Sequence, residues 1–377
     1  MTGRLIFAGS LTLIAATACG GEDFGGAESG GAAGQGGAAV GGQGGTAASA
    51  GNGGSSATGG TGAAGGSGDG GAGAGGGSSG TGGVVGSGGA SGSGGCSAPE
   101  IVVNNQAGLS ALAADSSHLY WTATSLGAIR RKAKSGGVAE TILSNQPNAF
   151  GLALSGGDLF FTRRANPGNI LKAAKNGMGA GLLASNQDKP TAIATDGTHV
   201  YWTNVAGAGA GGARRIPVGG GATEIVHPGG PTSLVALTSS DVLLATDAAV
   251  LRLKKSNPAD GPWTAPFTNV WGLAGSDTNT FVATHVPTGQ VLSFATSSTV
   301  PQEIDNGHFM HGLAFDGGNL YYLRSKDDQS YELIRSSVSG DKKTVLACAA
   351  GHALALVVDA THVYFTTEAG EIRRAPK

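Results

Sequence analysis

This sequence has little charge, and neither sign is in excess. Asp, Glu, Lys and Arg make up 13% of its 377 residues, and the formal net charge is −2. The arginines of the folded part are spread along the chain and form no single stripe, so they offer no continuous basic surface to nucleic acid. We expect them to lie along the sides of strands and to pair with acidic groups on neighbouring strands.

The sequence also lacks the common motifs of catalytic and cofactor sites. No G-x-S-x-G, P-loop, H-E-x-x-H or EF-hand pattern occurs in the folded part. Two stretches match G-x-G-x-x-G, Gly60–Gly65 and Gly207–Gly212, but neither lies between a parallel strand and a helix, as dinucleotide binding requires. His308 and His311 have a spacing that suits a metal on a helix, but on a strand they point in opposite directions. We therefore expect no cofactor and no metal.

No apolar run is long enough to span a bilayer as a stable helix. The longest at the N-terminus, Leu5–Ala15, follows Arg4 and precedes the small residues of Ala16–Cys19. This pattern resembles the lipobox of bacterial lipoproteins, which implies removal of residues 1–18 and lipidation of Cys19. Gly20 resembles the sorting pattern of lipoproteins passed to an outer membrane. An ordinary secretory signal is the alternative.

Most of the 71 glycines lie between Gly20 and Gly95, in a segment made almost only of Gly, Ala and Ser. Such a segment cannot bury enough apolar surface to fold. Residues 19–95 are thus predicted to be a lipidated, disordered tether. They would hold a folded domain, residues 96–377, outside the cytoplasm and near a membrane.

Cysteine is scarce, with three in the chain. If Cys19 carries lipid, Cys96 and Cys348 remain, and an oxidising compartment permits a disulfide between them. Their places in the repeat described below put them near opposite faces of the fold, which argues against one. The sequence leaves this bridge open.

A repeat of about 40 residues dominates the folded part. Its marker is an aromatic or apolar pair, often followed by Thr, which recurs at intervals of 38 to 43 residues: Tyr120-Trp121, Phe160-Phe161, Tyr201-Trp202, Leu243-Leu244, Phe281-Val282, Tyr321-Tyr322 and Tyr364-Phe365. In each unit we infer an inner strand, an Asp- or Gly-containing turn, the aromatic strand, a third strand rich in basic residues, and an outer strand. Repeats of this length with four strands are typical of β-propeller blades. The fold class is all-β, a seven-bladed propeller.

The last unit ends after its third strand, and an extra outer strand stands at the front, in Pro99–Gln106. We expect that strand to pair with Glu371–Ala375 and to close the ring. We also expect a monomer.

The candidate site is the channel mouth, the face where inner strands begin and the loops between second and third strands lie. The position ten residues before each aromatic pair holds Ser110, Phe150, Thr191, Ser233, Trp271, His311 and Leu354. Phe150, Trp271 and His311 should be large exposed groups there, with Arg163, His285 and Arg324 on adjoining loops. These six are the predicted ligand-binding residues, because aromatics among convergent polar groups are typical of binding sites. The alternative is that the aromatics only plug the channel.

Three histidines recur directly before the aromatic strand: His118, His199 and His362. Other units hold Asp or Asn there, so we interpret these histidines as structural.

Tyr201–Asn204 and Arg214–Pro217 resemble the YWTD-type repeat of extracellular propellers and, more loosely, the NHL and TolB-like groups. This chain departs from YWTD propellers, because Asn204 or Ala123 stands where the motif has Asp, and because seven units are counted rather than six. The resemblance implies recognition of proteins or peptides. Bacterial surface lipoproteins with a tethered propeller are the nearest overall likeness.

The leading hypothesis is a membrane-tethered binding or scaffolding module for a protein, peptide or glycan. The alternative is a propeller lyase or hydrolase acting on polysaccharide or peptide, with His311 or His285 as general base and Arg163 or Arg324 steadying an anionic group.

Overall fold

The computed structural model describes residues 96–205, 211–327 and 329–377, so Cys19 and the predicted tether lie outside it. These ranges contain β-strands and one short helical turn, Thr124–Leu126. Within them, no helix has the length and apolar character needed to cross a bilayer. The all-β propeller fold predicted from the repeat is confirmed.

Consecutive strands form antiparallel four-stranded sheets whose bounds follow the repeat. β1 (Glu100–Val103) comes first in the chain. The next sheet holds β2 (Leu109–Ala114), β3 (His118–Ala123), β4 (Ala128–Ala133) and β5 (Glu140–Leu143). Another holds β6 (Ala149–Ser155), β7 (Asp158–Arg163), β8 (Gly168–Ala174) and β9 (Gly181–Gln187). Two more contain β10 (Pro190–Thr195), β11 (His199–Asn204), β12 (Gly212–Pro217) and β13 (Glu224–His227), and then β14 (Thr232–Leu237), β15 (Asp241–Thr246), β16 (Ala249–Lys254) and β17 (Trp263–Pro266).

The next sheet has seven strands, where the sequence predicts two separate blades. It contains β18 (Val270–Gly275), β19 (Asn279–Thr284), β20 (Gly289–Ala295), β21 (Gln302–Asp316), β22 (Asn319–Asp327), β23 (Ser330–Ser337) and β24 (Lys343–Ala350). The chain ends with β25 (Ala353–Val358), β26 (His362–Thr367) and β27 (Ile372–Pro376), which form a sheet in the order β1-β27-β26-β25. The described residues thus form five four-stranded sheets and one seven-stranded sheet.

The front strand completes the last sheet, as predicted. Glu100 is opposite Arg374 and Val103 is opposite Ile372. One core cluster contains Trp121 from the sheet that starts with β2 together with Tyr364 and Ile372 from the last sheet. The first and last units of the repeat therefore pack against each other.

The arginines of the third strands pair with outer strands, also as predicted. Arg131 lies 2.7 Å from Glu140, Arg215 lies 2.7 Å from Glu224, and Arg374 lies 2.8 Å from Glu100. The sheet completed by β1 thus has the same kind of ion pair as the sheets of Arg131 and Arg215. These pairs are partly exposed to solvent, so each contributes little to stability.

The Asp of the turn between inner and aromatic strands ties neighbouring sheets together. The Asp359 carboxylate accepts the backbone N–H groups of Thr361 and His362, at 2.8 Å each, and lies 2.6 Å from the ammonium group of Lys134 in the next sheet. Burial alone raises the pKa of Asp359, but these contacts outweigh it and lower the pKa to about 2. Three further ion pairs join a lysine to the turn Asp of a neighbouring sheet: Lys175–Asp115, Lys255–Asp196 and Lys377–Asp316.

The structure contains a disulfide between Cys96 and Cys348, whose Cα atoms are 6.0 Å apart. The register argument against it was wrong, because it assumed that the chain before β1 continues in line with that strand. Residues 96–99 have no strand structure and instead lie beside β24, where the Cys348 N–H donates to the Ser97 carbonyl at 3.1 Å. The bridge fastens the closing strand to the neighbouring sheet.

Candidate functional site

Each innermost strand has a pairing irregularity near its start or, in β21, near the start of the part that pairs with β22. Register shifts occur in β2, β6, β10, β14, β18, β21 and β25. The aligned ring of Ser110, Phe150, Thr191, Ser233, Trp271, His311 and Leu354 lies within or directly beside these shifts. β-Bulges redirect side chains and free backbone groups from the ladder. The direction of the ring side chains therefore depends on these register shifts, and simple alternation of side chains along a strand does not predict it.

The threonine of the aromatic strand satisfies these freed groups in part of the ring. The Thr122 hydroxyl accepts the Ala111 N–H at 3.0 Å and donates to the Phe150 carbonyl of the next sheet at 2.7 Å. Thr162 and Thr203 make the same two bonds to their own and the following innermost strand. We call this arrangement the threonine bridge.

Three units have an apolar residue in place of that threonine, namely Ala245, Ala283 and Leu323. The ring residues of the strands that follow are Trp271, His311 and Leu354. All three line a single cavity. The ring therefore has a bridged part and a part without bridges, and the cavity lies in the second.

This mouth cavity has a volume of about 610 Å³. Its chemically distinctive lining groups are Trp271, His285, Phe309, His311, His352 and Glu368. The chain between β1 and β2 supplies part of the wall through Gln106, Gly108 and Leu109. Residues from the first, last and intervening units of the repeat thus meet at one place, as the channel-mouth prediction requires.

Four aromatic rings form a contiguous cluster in the cavity. Trp271 and His285 stack with their ring centres 4.1 Å apart and an angle of 19° between planes. The His311 ring is perpendicular to Trp271 at 5.7 Å and lies 4.5 Å from His285. Phe309 packs on His285 at 4.6 Å. The sequence predicted the convergence of Trp271, His285 and His311.

Both histidines of the cluster are held uncharged. Burial, with help from His285 and His352, lowers the pKa of His311 to about 3. Burial also lowers the pKa of His285, with a smaller contribution from His352. The Nδ1 atoms of His285 and His311 are buried and have no hydrogen-bond partner among the described residues. A buried polar atom without a partner is costly, and such atoms gather where a ligand can supply the missing bond.

The expected exposure of the large ring residues was partly wrong. Phe150 and His311 are each only 6% exposed, and Trp271 is partly buried. Neighbouring rings cover His311, and the Arg164 guanidinium lies 4.8 Å above the Phe150 ring. The pairing irregularities turn these side chains inward.

The other predicted contact residues do not line the mouth cavity. Phe150 lies in the bridged part of the ring. Arg163 donates to the Gln146 side chain at 2.6 Å. Arg324 forms ion pairs with Asp305 at 3.0 Å and with Glu332 at 2.6 Å. The observed contacts of both arginines are therefore within the fold.

Phe309 and His352 were missed, although they share a place in the repeat. Both stand two residues before the ring position, where other units hold Gly108, Asn148, Lys189 and Asn269. Those four have a left-handed backbone, and so does Phe309, with φ of 26°. This conformation is strained for an aromatic residue, and strain of this kind is concentrated at functional sites. Aligning this second position would have identified both residues.

The three recurring histidines have the structural surroundings that the sequence predicted. Nδ1 of His118, His199 and His362 lies 2.8, 3.0 and 2.8 Å from the hydroxyl of the preceding residue. In each case the backbone N–H of the histidine donates to the carboxylate of the turn Asp. His308 is exposed, whereas His311 is buried. No group of metal-ligating side chains with suitable geometry occurs in residues 96–205, 211–327 and 329–377.

No family model matches this chain, and no curated protein matches it. Solved structures do. A streptogramin B lyase structure has 14% sequence identity and a TM-score of 0.59, covering 74% of this chain and 97% of the lyase. A catalytically inactive variant of virginiamycin B lyase from Staphylococcus aureus, with quinupristin, has 15% identity and a TM-score of 0.58, covering 74% and 98%. The β-propeller domain of the trilobed protease from Pyrococcus furiosus has 10% identity and a TM-score of 0.52, covering 72% and 94%. At these identities the likeness is one of fold, and by fold this chain is a β-propeller.

Proposed function

We propose that this protein is a membrane-tethered, extracytoplasmic binding propeller whose ligand enters the mouth cavity. The observation that carries the proposal is the cluster of Trp271, His285 and His311, in which two buried ring nitrogens have no hydrogen-bond partner among the described residues. Binding sites are typically apolar concavities with a few convergent polar groups. A protein, a peptide or a glycan is the expected ligand class.

The proposal includes seven blades in a closed ring. The 15-residue strand β21 pairs with β20 through residues 302–307 and with β22 through residues 308–316. One continuous strand thus serves as the outer strand of one blade and the inner strand of the next, which accounts for the seven-stranded sheet. Each innermost strand adjoins the next, and β25 adjoins β2.

The extracytoplasmic location rests on two features. Ala16–Cys19 resembles a lipobox, and the Cys96–Cys348 disulfide is of a kind that persists in oxidising compartments. Two or more acyl chains at Cys19 would anchor the chain firmly. Feeding cells an alkyne-tagged fatty acid should label the wild-type chain and leave Cys19→Ala unlabelled; equal labelling of both would refute this anchor.

Ligand recognition can be tested with the full-length chain immobilised and exposed to a cell-envelope extract, with retained molecules identified by mass spectrometry. Trp271→Ala should weaken retention at least tenfold, because buried aromatics dominate binding energy. Met178→Ala is the matched control, since Met178 is a large apolar residue, 70% exposed, outside the mouth cavity. Retention unaffected by Trp271→Ala, with unchanged thermal stability, would place the binding surface elsewhere.

A lyase or hydrolase is the second candidate, because His285, His311 and Glu368 are ionisable groups in one cavity. Against it, the low pKa of His311 makes its imidazole a much weaker base than an efficient catalyst near pH 7 needs. His311→Ala distinguishes the two. Loss of turnover with retained binding would favour catalysis, whereas loss of binding without any detectable turnover in the wild type favours recognition.

A further inference from the structure

The charges around the mouth cavity have one sign. Among the described residues, Glu368 is the one carboxylate on its wall, and none of the described Lys or Arg residues lines it. Glu368 is exposed at the turn after β26, and no ion pair of its side chain occurs in the described part of the chain. Arg324 and Arg373, which do not line the cavity, are paired with Glu332 and Glu371. An anionic ligand would therefore meet the Glu368 carboxylate and no cation of the described wall, whereas a cationic ligand would balance the charge of Glu368.

Besides the Glu368 carboxylate, the uncharged histidines provide hydrogen-bond acceptors on the cavity wall. A neutral imidazole has one acceptor nitrogen, and both His285 and His311 make no side-chain hydrogen bond within the described ranges. Ammonium and guanidinium groups have several N–H donors and no acceptor. They match a wall of acceptors better than a neutral hydroxyl-bearing sugar, which needs donors as well.

The aromatic rings favour a cation too. Cations bind over the faces of Trp and Phe within about 6 Å of the ring centre. The same fold contains an internal example, because Arg164 lies over the ring residue Phe150 at 4.8 Å. In the unit of Trp271, the position equivalent to Arg164 is occupied by the uncharged His285. The protein therefore supplies no cation at that position. Leu109 and Leu354 offer apolar contacts for an aliphatic stem.

We propose that the mouth cavity recognises a lysine or arginine side chain presented by a peptide or protein segment. The cationic head contacts Glu368 and the Trp271–His285 pair, and the methylene stem packs on the leucines. This inference rests on the proposed binding function and specifies its ligand class.

The test uses the full-length chain and three acetylated, amidated tripeptides with leucine at both ends and lysine, norleucine or glutamate in the centre. In calorimetric titrations at low salt, the lysine peptide should bind at least fivefold more tightly than the norleucine peptide, and the glutamate peptide should bind most weakly. Glu368→Gln should abolish the preference for lysine over norleucine. Asp260→Asn, which removes an exposed carboxylate outside the cavity, should preserve it.

Equal binding of the lysine and norleucine peptides overturns the cation inference, and so does a preference that survives Glu368→Gln. If the two peptides bind equally to the wild type and Trp271→Ala abolishes the binding of both, the proposed binding function is retained and only the preference for a cation is refuted. If none of the three peptides binds, the cation inference is also overturned, and the envelope-extract experiment alone decides the proposed function.

Discussion

Replacing Thr122 with valine removes one hydroxyl group and almost no volume, and it breaks a threonine bridge between two sheets. The Thr122 side chain is completely buried, and its hydroxyl serves the Ala111 N–H and the Phe150 carbonyl. A buried polar group that loses its partner costs about 1–3 kcal/mol. With two such groups affected, we expect a loss of about 2–6 kcal/mol in the free energy of unfolding.

The measurement is thermal unfolding of the full-length chain, followed by circular dichroism under oxidising conditions. For a domain of this size, 1 kcal/mol lowers the melting temperature by about 2 °C, so Thr122→Val should melt about 4–12 °C below the wild type. Thr141→Val makes the same chemical change at an exposed position on β5 and should shift melting by about 1 °C or less.

Equal melting of Thr122→Val and Thr141→Val would refute the threonine-bridge reasoning. It would mean that water or backbone movement satisfies the Ala111 and Phe150 groups without the hydroxyl. The natural alanine and leucine at positions 245, 283 and 323 would then have no consequence for where the cavity lies.

The remaining predictions concern the disulfide and two titrating groups. Cys348→Ser should lower the free energy of unfolding by about 2–4 kcal/mol, because the bridge closes a long loop, and the wild type under reducing conditions should melt like the variant. Because the pKa of His311 is lowered to about 3, its folded form resists protonation, so stability should be lost as pH falls from about 6.5 towards 3. Between pH 7 and pH 5 this amounts to about 2 kcal/mol, and His311→Gln should therefore show a smaller fall in melting temperature over that range; an equal fall would contradict the buried neutral state. Lys134→Met should lower the melting temperature by about 2–4 °C at pH 7, and the difference should shrink as pH falls from 3.8 to 2, where Asp359 itself becomes protonated; a difference independent of pH would mean that the Lys134–Asp359 contact is not ionic.

Much of the fold follows from local chemistry. Asp115, Asp196 and Asp359 each accept two backbone N–H groups of their own turns, as expected. Arg131 and Arg374 form ion pairs with glutamates on the neighbouring outer strands. These interactions span a few residues or one strand pairing, so a repeat read along the chain contains them. The pairing of β1 with β27 was predictable for a related reason, since a missing strand and an extra strand must meet when a sheet edge is covered.

The site was predictable only in its location. Aligning the repeat placed Trp271 and His311 on one face, and a loop position added His285. Their burial was not predictable, because it depends on pairing irregularities and on rings that belong to other units. Phe309 and His352 were missed because the alignment considered one position per unit, while the residue two places earlier also reaches the cavity in these two units.

By itself, the sequence determined the strand order, the turns, the all-β class and the convergence of Trp271, His285 and His311 on one face. Each of these depends on periodicity, turn chemistry or pairing between adjacent strands. The tertiary structure alone decided that Cys96 reaches Cys348, that β21 continues through two units of the repeat, and that the Nδ1 atom of His311 is buried with no hydrogen-bond partner in the described part of the chain. These features depend on distances between segments far apart in the chain, and those distances are set only when the sheets pack around a common centre.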